Sequence, residues 1–299
     1  MINQHQKAFK EEAEKNKESL GKRPDWLKVR LPMGENFADV KTLMRRQQLH
    51  TVCEEARCPN MGECWNARTA TFMILGDTCT RSCGFCNIKT GIPNLLDLQE
   101  PRRVADSVKE LNLRHVVITS VNRDELKDGG SSIFGETCRL IRQEMPNTTI
   151  EILIPDFKGE TEAFEIIMQN PPDILNHNME TVKNLYHAVR PQAKYERSLE
   201  LITWFKQKGL RTKSGIMVGI GEKNEEVLNL LKDLRNAGCD ILTIGQYLQP
   251  TKEHLPIDRF VTPEEFNMFK EEGLKLGFLA VESSPLVRSS YHADKHARL

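Results

Sequence analysis

The chain of 299 residues is 39% hydrophobic and 28% charged, a composition that supports one large globular core. Its 42 Lys and Arg balance 42 Asp and Glu, so no global basic field exists to gather phosphates, and nucleic acid is not expected as a main partner. No apolar run approaches the roughly 18 residues of a membrane span, and residues 1–20 mix Lys with Glu without a signal-like apolar segment, so a soluble, cytoplasmic protein with no transit peptide is expected.

Residues 1–68 read as an N-terminal extension that carries three of the eight cysteines. From Thr69 onward, short apolar, β-rich runs alternate with helical patterns. Strands are expected at 69–76, 115–121, 148–154, 173–178, 210–220 and 240–248, and helices at 102–111, 133–144, 162–169, 195–208 and 225–237. Near-continuous apolar strands joined by helical crossovers specify a parallel sheet covered by helices. The expected architecture is α/β: an open six-stranded parallel (β/α)6 barrel over residues 69–280, its ends covered by the N-terminal extension and by a tail over 281–299. Six of the eight cysteines crowd between Cys53 and Cys86, which favours metal over disulfides. Cys138 and Cys239 stand alone in apolar stretches and read as small buried hydrophobes.

The first strand runs into GDTCTRSCGFC, so Cys79, Cys83 and Cys86 form a C-x3-C-x2-C loop at its carboxyl end. A structural zinc takes four protein ligands, whereas three thiolates on a four-iron cubane leave one iron open for chemistry. With Phe85 just before the last cysteine, the motif resembles that of the radical S-adenosylmethionine superfamily. The resemblance implies that the open iron chelates the cofactor's amino acid part, that the reduced cluster donates one electron, and that the resulting 5′-deoxyadenosyl radical abstracts hydrogen from unactivated carbon. Upstream, CEEARCPNMGEC sets Cys53, Cys58 and Cys64 in a C-x4-C-x5-C array, again one ligand short. A second cluster is one reading, and a structural zinc site pinning the N-terminal segment is the other.

The two arrays together with Arg288-Ser289-Ser290-Tyr291 resemble the lipoyl synthase family. CPNMGECW, RTATFMILGD, KDGG, DILNHNMETV, RSLE, KSGIMVGIGE and IGQYLQPT extend the likeness over most of the chain. It implies two 4Fe–4S clusters, with Ser290 as the fourth ligand of the auxiliary one, and radical insertion of sulfur at C6 and C8 of a protein-bound octanoyl-lysine. The auxiliary cluster would be the sulfur donor. GIMVGIGE resembles the family's adenine-contacting pattern, with Met217 at an isoleucine position, and points to Gly219, Gly221 and Glu222 beside Phe85, Asn178 and Glu180 as cofactor contacts. Without the cysteines, those glycines would mean only a tight turn. His177 reads equally as a structural histidine, and Arg123 with Asp124 equally as a surface pair. Asn122 stands where the family often has Asp, and Glu282-Ser283-Ser284 replaces a Gly-containing approach to Pro285. The implied partners are octanoylated lipoyl carrier domains of 2-oxoacid dehydrogenases and the glycine cleavage H protein, an electron donor such as flavodoxin or ferredoxin, and an iron–sulfur cluster carrier. Another radical sulfur-inserting enzyme and a noncatalytic iron–sulfur electron carrier are the competing readings.

Overall fold

The computed structural model describes residues 6–7, 10–11, 22–28, 35–56, 58–66, 71–291 and 293–297. The start of the first expected strand, residues 69–70, lies outside them, as does much of the N-terminal extension. The chain divides into two compact units, one of residues 29–81, 88–176 and 290–299, the other of residues 1–28, 82–87 and 177–289.

In the first unit the described elements are α1 (Glu35–Arg46), β1 (His50–Thr51), α2 (Val52–Glu55), α3 (Met61–Asn66), β2 (Thr71–Ile74), β3 (Thr78–Cys79), β4 (Lys89–Thr90), α4 (Glu100–Glu110), β5 (His115–Ser120), α5 (Ser131–Glu144), β6 (Thr149–Leu153), α6 (Thr161–Met168) and β7 (Ile174–Asn176). β2, β5, β6 and β7 form a parallel ladder, with Thr71 opposite Val117, His115 opposite Thr149 and Leu153 opposite Asn176. All of β2 is buried, as expected of a parallel strand covered on both faces. Helices α4 and α5 turn Val104, Ala105 and Val108, and Ile133, Phe134, Cys138 and Ile141, toward the core at helical spacing. β1 pairs antiparallel with β2, Thr51 opposite Phe72.

After β2 the chain bends sharply. Leu75 and Gly76 both take positive φ, 70° and 88°. A left-handed leucine costs on the order of 1–3 kcal/mol, and side chains hold it there. The Glu100 carboxylate accepts the Leu75 N–H at 2.6 Å, and the Arg123 guanidinium donates to the Leu75 carbonyl at 3.0 Å. This bend delivers β3, and with it Cys79, to the carboxyl end of the ladder.

The second unit contains α7 (Tyr186–Val189), α8 (Tyr195–Gln207), β8 (Arg211–Val218), α9 (Asn224–Asn236), β9 (Ile241–Gln246), α10 (Pro263–Lys275) and β10 (Ala280–Ser283). β9 pairs in parallel with β8 and β10, Ile241 lying opposite Lys213 on one side and Ala280 on the other. Cys239 is fully buried. Helix α10 starts on a capping box: the Thr262 hydroxyl accepts from the Glu265 N–H, and the Glu265 carboxylate accepts from the Thr262 N–H.

The α/β class and the parallel strands match the sequence reading, but the count of six does not. Among the described residues eight strands join these ladders, the added two being β1 and β10. β1 pairs only with β2, and β10 only with β9. Neither carries the alternation that sequence reading relies on: β1 has two residues, and Ala280–Ser283 contains a single fully buried apolar side chain, Val281. No helix among the described residues is long and apolar enough to cross a membrane.

Gly130, from the KDGG segment, has φ 91°, and a Cβ there would stand 2.3 Å from Leu75 Cδ1. Gly130→Ala therefore combines backbone strain with overpacking against the bend. We expect a loss of about 2–4 kcal/mol in denaturant unfolding; an unchanged midpoint would contradict this account of the bend.

Candidate active site

In the first unit the antiparallel pairing of β1 with β2 sets the position of the upstream cysteines. Thr51 is still extended and opposite Phe72, and its hydroxyl accepts the Glu54 N–H, capping α2. One residue into the helix, Cys53 is buried with its thiol against the main chain of Thr71. The Cys58 N–H then donates to the Cys53 carbonyl at 3.0 Å, and Cys64 follows one turn into α3. The three thiols are near enough to oppose one another's ionisation. Burial, then the Cys58 thiol, pushes Cys53 up to about 11, and burial followed by Cys53 and Cys58 pushes Cys64 up to about 12. Ser290 joins them: the Thr71 hydroxyl donates to Ser290 Oγ at 2.9 Å, and the Tyr291 hydroxyl donates to Glu63 at 3.3 Å.

The fully buried indole N–H of Trp65 lies against the Cys53 thiol and partly offsets the effect of burial on it.

Cys79 ends β3 in the same unit. Its sulfur accepts N–H groups from Asn122 at 3.3 Å and Arg81 at 3.4 Å. Hydrogen bonds to a ligating sulfur tune the potential of the iron it holds. Arg81, only 4% exposed, makes two bonds to Asp124, at 2.7 and 2.8 Å, and one of 2.7 Å to the fully buried Asp156. The Thr80 N–H and hydroxyl both donate to the Asn122 carbonyl. Ser120 Oγ and the side-chain oxygens of Asn122 and Asn176, all at strand ends, are buried without partners.

Cys83 and Cys86 belong to the second unit, where main-chain bonds clamp their segment. The Gly84 N–H donates to Val189, the Gly84 carbonyl accepts from Leu255, each at 2.9 Å, and His254 Nε2 donates to the Cys86 carbonyl at 2.9 Å. A Cβ on Gly84 would come within 2.7 Å of the Leu255 side chain. Phe85 packs on the buried cluster of Val189, Ile220, Tyr247 and Leu255, with Met217 alongside.

The GIMVGIGE segment closes a turn at the end of β8. Gly219 and Gly221 take φ 94° and 129°. The Glu222 carboxylate accepts the N–H groups of Gly219 at 2.5 Å and Ile220 at 3.0 Å, so this residue builds the turn itself. Burial raises its pKa against those bonds. Asn178 donates to Glu180 at 3.0 Å, while its own side-chain oxygen is buried without a partner. That oxygen would stand 2.7 Å from a Cβ at position 215, so Gly215 leaves room beside it. Glu180 has φ 67°, and burial raises its carboxyl, opposed by Arg190. An unpaired acceptor next to a glycine-cleared space suits a small ligand with N–H donors, such as the amino or adenine group of a nucleoside cofactor.

Two ambiguities resolve. His177 is structural, fully buried with Nε2 2.9 Å from the Ser198 hydroxyl, which also meets the Tyr186 hydroxyl at 2.8 Å. Arg123 and Asp124 are not a surface pair: Arg123 serves Leu75, Asn94 and Glu125, while Asp124 serves Arg81. Sequence reading missed Thr71, Arg81 and Asp156. Only Arg81 carried a local signal, a long cation set between two ligand-type cysteines.

Removing Arg81 takes the guanidinium away from the fully buried Asp156. Arg81→Met is expected to cost about 3–5 kcal/mol in unfolding of the metal-free chain, and Asp156→Asn in that background to recover a large part of it. Additive losses in the double variant would show that the pair is not coupled.

The comparisons with known proteins bear on this geometry. The model of the radical SAM superfamily matches residues 73–245, and that of the N-terminal domain of lipoyl synthase matches residues 2–58. The lipoyl synthase of Rubrobacter xylanophilus is 61% identical over 91% of this chain and 86% of its own length. A mitochondrial lipoyl synthase of Nematostella vectensis is 55% identical over 92% of this chain and 94% of its own. Among solved structures, the FeFe-hydrogenase maturase HydG of Carboxydothermus hydrogenoformans superposes with TM-score 0.57 at 12% identity, covering 98% of this chain and 74% of that one. Methylornithine synthase gives 0.54 at 17% identity, over 81% and 73%. These structures share the fold, and the sequence relatives fix the narrower assignment: the chain belongs to the lipoyl synthase family of the radical SAM superfamily.

Proposed function

We propose that Cys79, Cys83 and Cys86 hold the cluster that cleaves S-adenosylmethionine, and that Cys53, Cys58, Cys64 and Ser290 hold the auxiliary cluster that donates sulfur to a protein-bound octanoyl-lysine. The product is the lipoyl group. As a family member the chain is a sulfurtransferase that uses S-adenosylmethionine and 4Fe–4S clusters. That membership excludes the noncatalytic carrier and the sulfur-inserting enzymes of other families. The observation that carries the assignment of ligands is the Ser290 hydroxyl, tied to β2 by Thr71 beside three mutually coupled thiols. In this reading, residues 1–68 and 281–299 supply the auxiliary ligands and residues 69–280 the radical machinery.

When bound, the first cluster supplies an electron, S-adenosylmethionine the hydrogen-abstracting group, and the auxiliary cluster the sulfur atoms. The chain's residues hold and shield these groups. The N–H groups of Arg81 and Asn122 orient the Cys79 sulfur, and Arg81 is itself held by two carboxylates. Phe85 anchors the Cys83–Cys86 segment on the buried cluster of Val189, Ile220, Tyr247 and Leu255. Asn178, Glu180, Gly219, Gly221 and Glu222 shape the cofactor's polar cradle, Glu222 by fixing the turn and Asn178 through its free oxygen. Lipoyl carrier domains are the substrates. Flavodoxin or ferredoxin as electron donor, a cluster carrier for resupply, and a cytoplasmic location complete the reading.

Replacing Cys79, Cys83 or Cys86 by Ala abolishes 5′-deoxyadenosine formation, and undiminished product from any of the three would remove the assignment. Cys53→Ala separates the two functions. It continues to cleave S-adenosylmethionine yet forms no carbon–sulfur bond, as read by mass spectrometry of an octanoylated carrier. Lipoyl product from Cys53→Ala would take the sulfur-donor role away from this array.

A further inference from the structure

From the side-chain contact between the first strand and the RSSY segment we infer that Thr71 is a positioning residue, whose hydroxyl holds Ser290 in the ligating orientation on the auxiliary cluster. The inference rests on the reading of Ser290 as the fourth ligand. Thr71 opens β2, is 6% exposed, and is registered against Val117 of β5. Its neighbour Phe72 is paired with Thr51. A β-branched residue fixed in a central strand has few rotamers, so its Oγ1 is a rigid point. That atom donates to Ser290 Oγ at 2.9 Å, across 219 positions of sequence. The main chain of the same residue faces the Cys53 thiol. Thr71 thus meets both the cysteine side and the serine side of one cluster site.

The chemistry of the pair follows from the donor's direction. A serine on iron has no proton to give, so its oxygen only accepts, and a hydroxyl aimed at it makes a charge-assisted bond stronger than a neutral one. Serine is the weakest of the four ligands and sits in a segment without regular secondary structure, a turn at residues 289–291. Its three cysteine counterparts are anchored by α2, the turn after it and α3. Without the Thr71 hydroxyl the serine loses its side-chain hydrogen bond to β2. The cluster would then assemble on three cysteines with its fourth iron open to solvent or to a thiol.

The test uses full-length chain with Cys79, Cys83 and Cys86 all changed to Ala, reconstituted with 57Fe, so that the auxiliary cluster alone is observed. Mössbauer spectra report the iron with an oxygen ligand, and chelator-driven iron release reports its retention. Ser290→Ala sets the signature of a lost serine. Thr71→Val, nearly isosteric, is expected to reproduce that signature and to release iron roughly tenfold faster than the parent; Thr71→Ser is expected to behave like the parent. Should Val not be tolerated, Thr71→Ala against Thr71→Ser makes the same comparison. An intact oxygen-ligated iron in the hydroxyl-less variant, or equal loss with Ser, overturns the role of the Thr71 hydroxyl and leaves Ser290 as ligand. Spectra of Ser290→Ala identical to the parent overturn both.

Discussion

Thiols gathered close together in a partly buried site oppose one another's ionisation. Burial and mutual proximity push Cys53 and Cys64 far above the ordinary thiol range, up to about 11 and 12. Such thiols stay protonated in the metal-free chain at neutral pH and become good ligands only when iron takes the place of the proton. The rest of the first unit sets their positions. β1, only two residues long, pins the start of α2 to the central strand, and the turn and helix that follow carry Cys58 and Cys64.

Cys79 faces a related problem and meets it differently. Its sulfur receives two main-chain N–H groups, and the adjacent arginine is neutralised by two carboxylates drawn from the loops after β5 and β6. The left-handed Leu75, held by Glu100 and Arg123, aims the loop. Arg81 is held at three points by these carboxylates, which stiffens the ligand loop. In the second unit, Glu222 spends its carboxylate on the turn and leaves Asn178 as the free acceptor. The polar residues of that turn thus divide between building the site and facing its ligand.

Much of this was legible in the sequence because its signals are local. All six expected strands and five expected helices were found, with described boundaries within two residues, since each carries its own hydrophobic period. The cysteine arrays were legible for the same reason: ligand spacing is a local property. β1 and β10 were not, because strands of two and four residues have no period to read. Thr71 and Arg81 owe their roles to Ser290, Asp124 and Asp156, partners 43 to 219 positions away in the chain, and nothing in a threonine or an arginine by itself announces such partners. Arg123 and Asp124 show the converse: adjacent opposite charges left a surface pair open in the sequence, whereas each is committed to a different loop.

The central claim is that the array of Cys53, Cys58, Cys64 and Ser290 holds the sulfur that enters the product. The direct measurement is to reconstitute the chain with isotopically labelled sulfide, supply octanoylated carrier with unlabelled sulfide in the surrounding buffer, and weigh the lipoyl group formed in a single turnover. The account predicts that both sulfur atoms carry the label and that turnover stops after about one lipoyl group per chain without resupply, because one cubane holds four sulfides and collapses after losing two. Lipoyl groups without the label would contradict it.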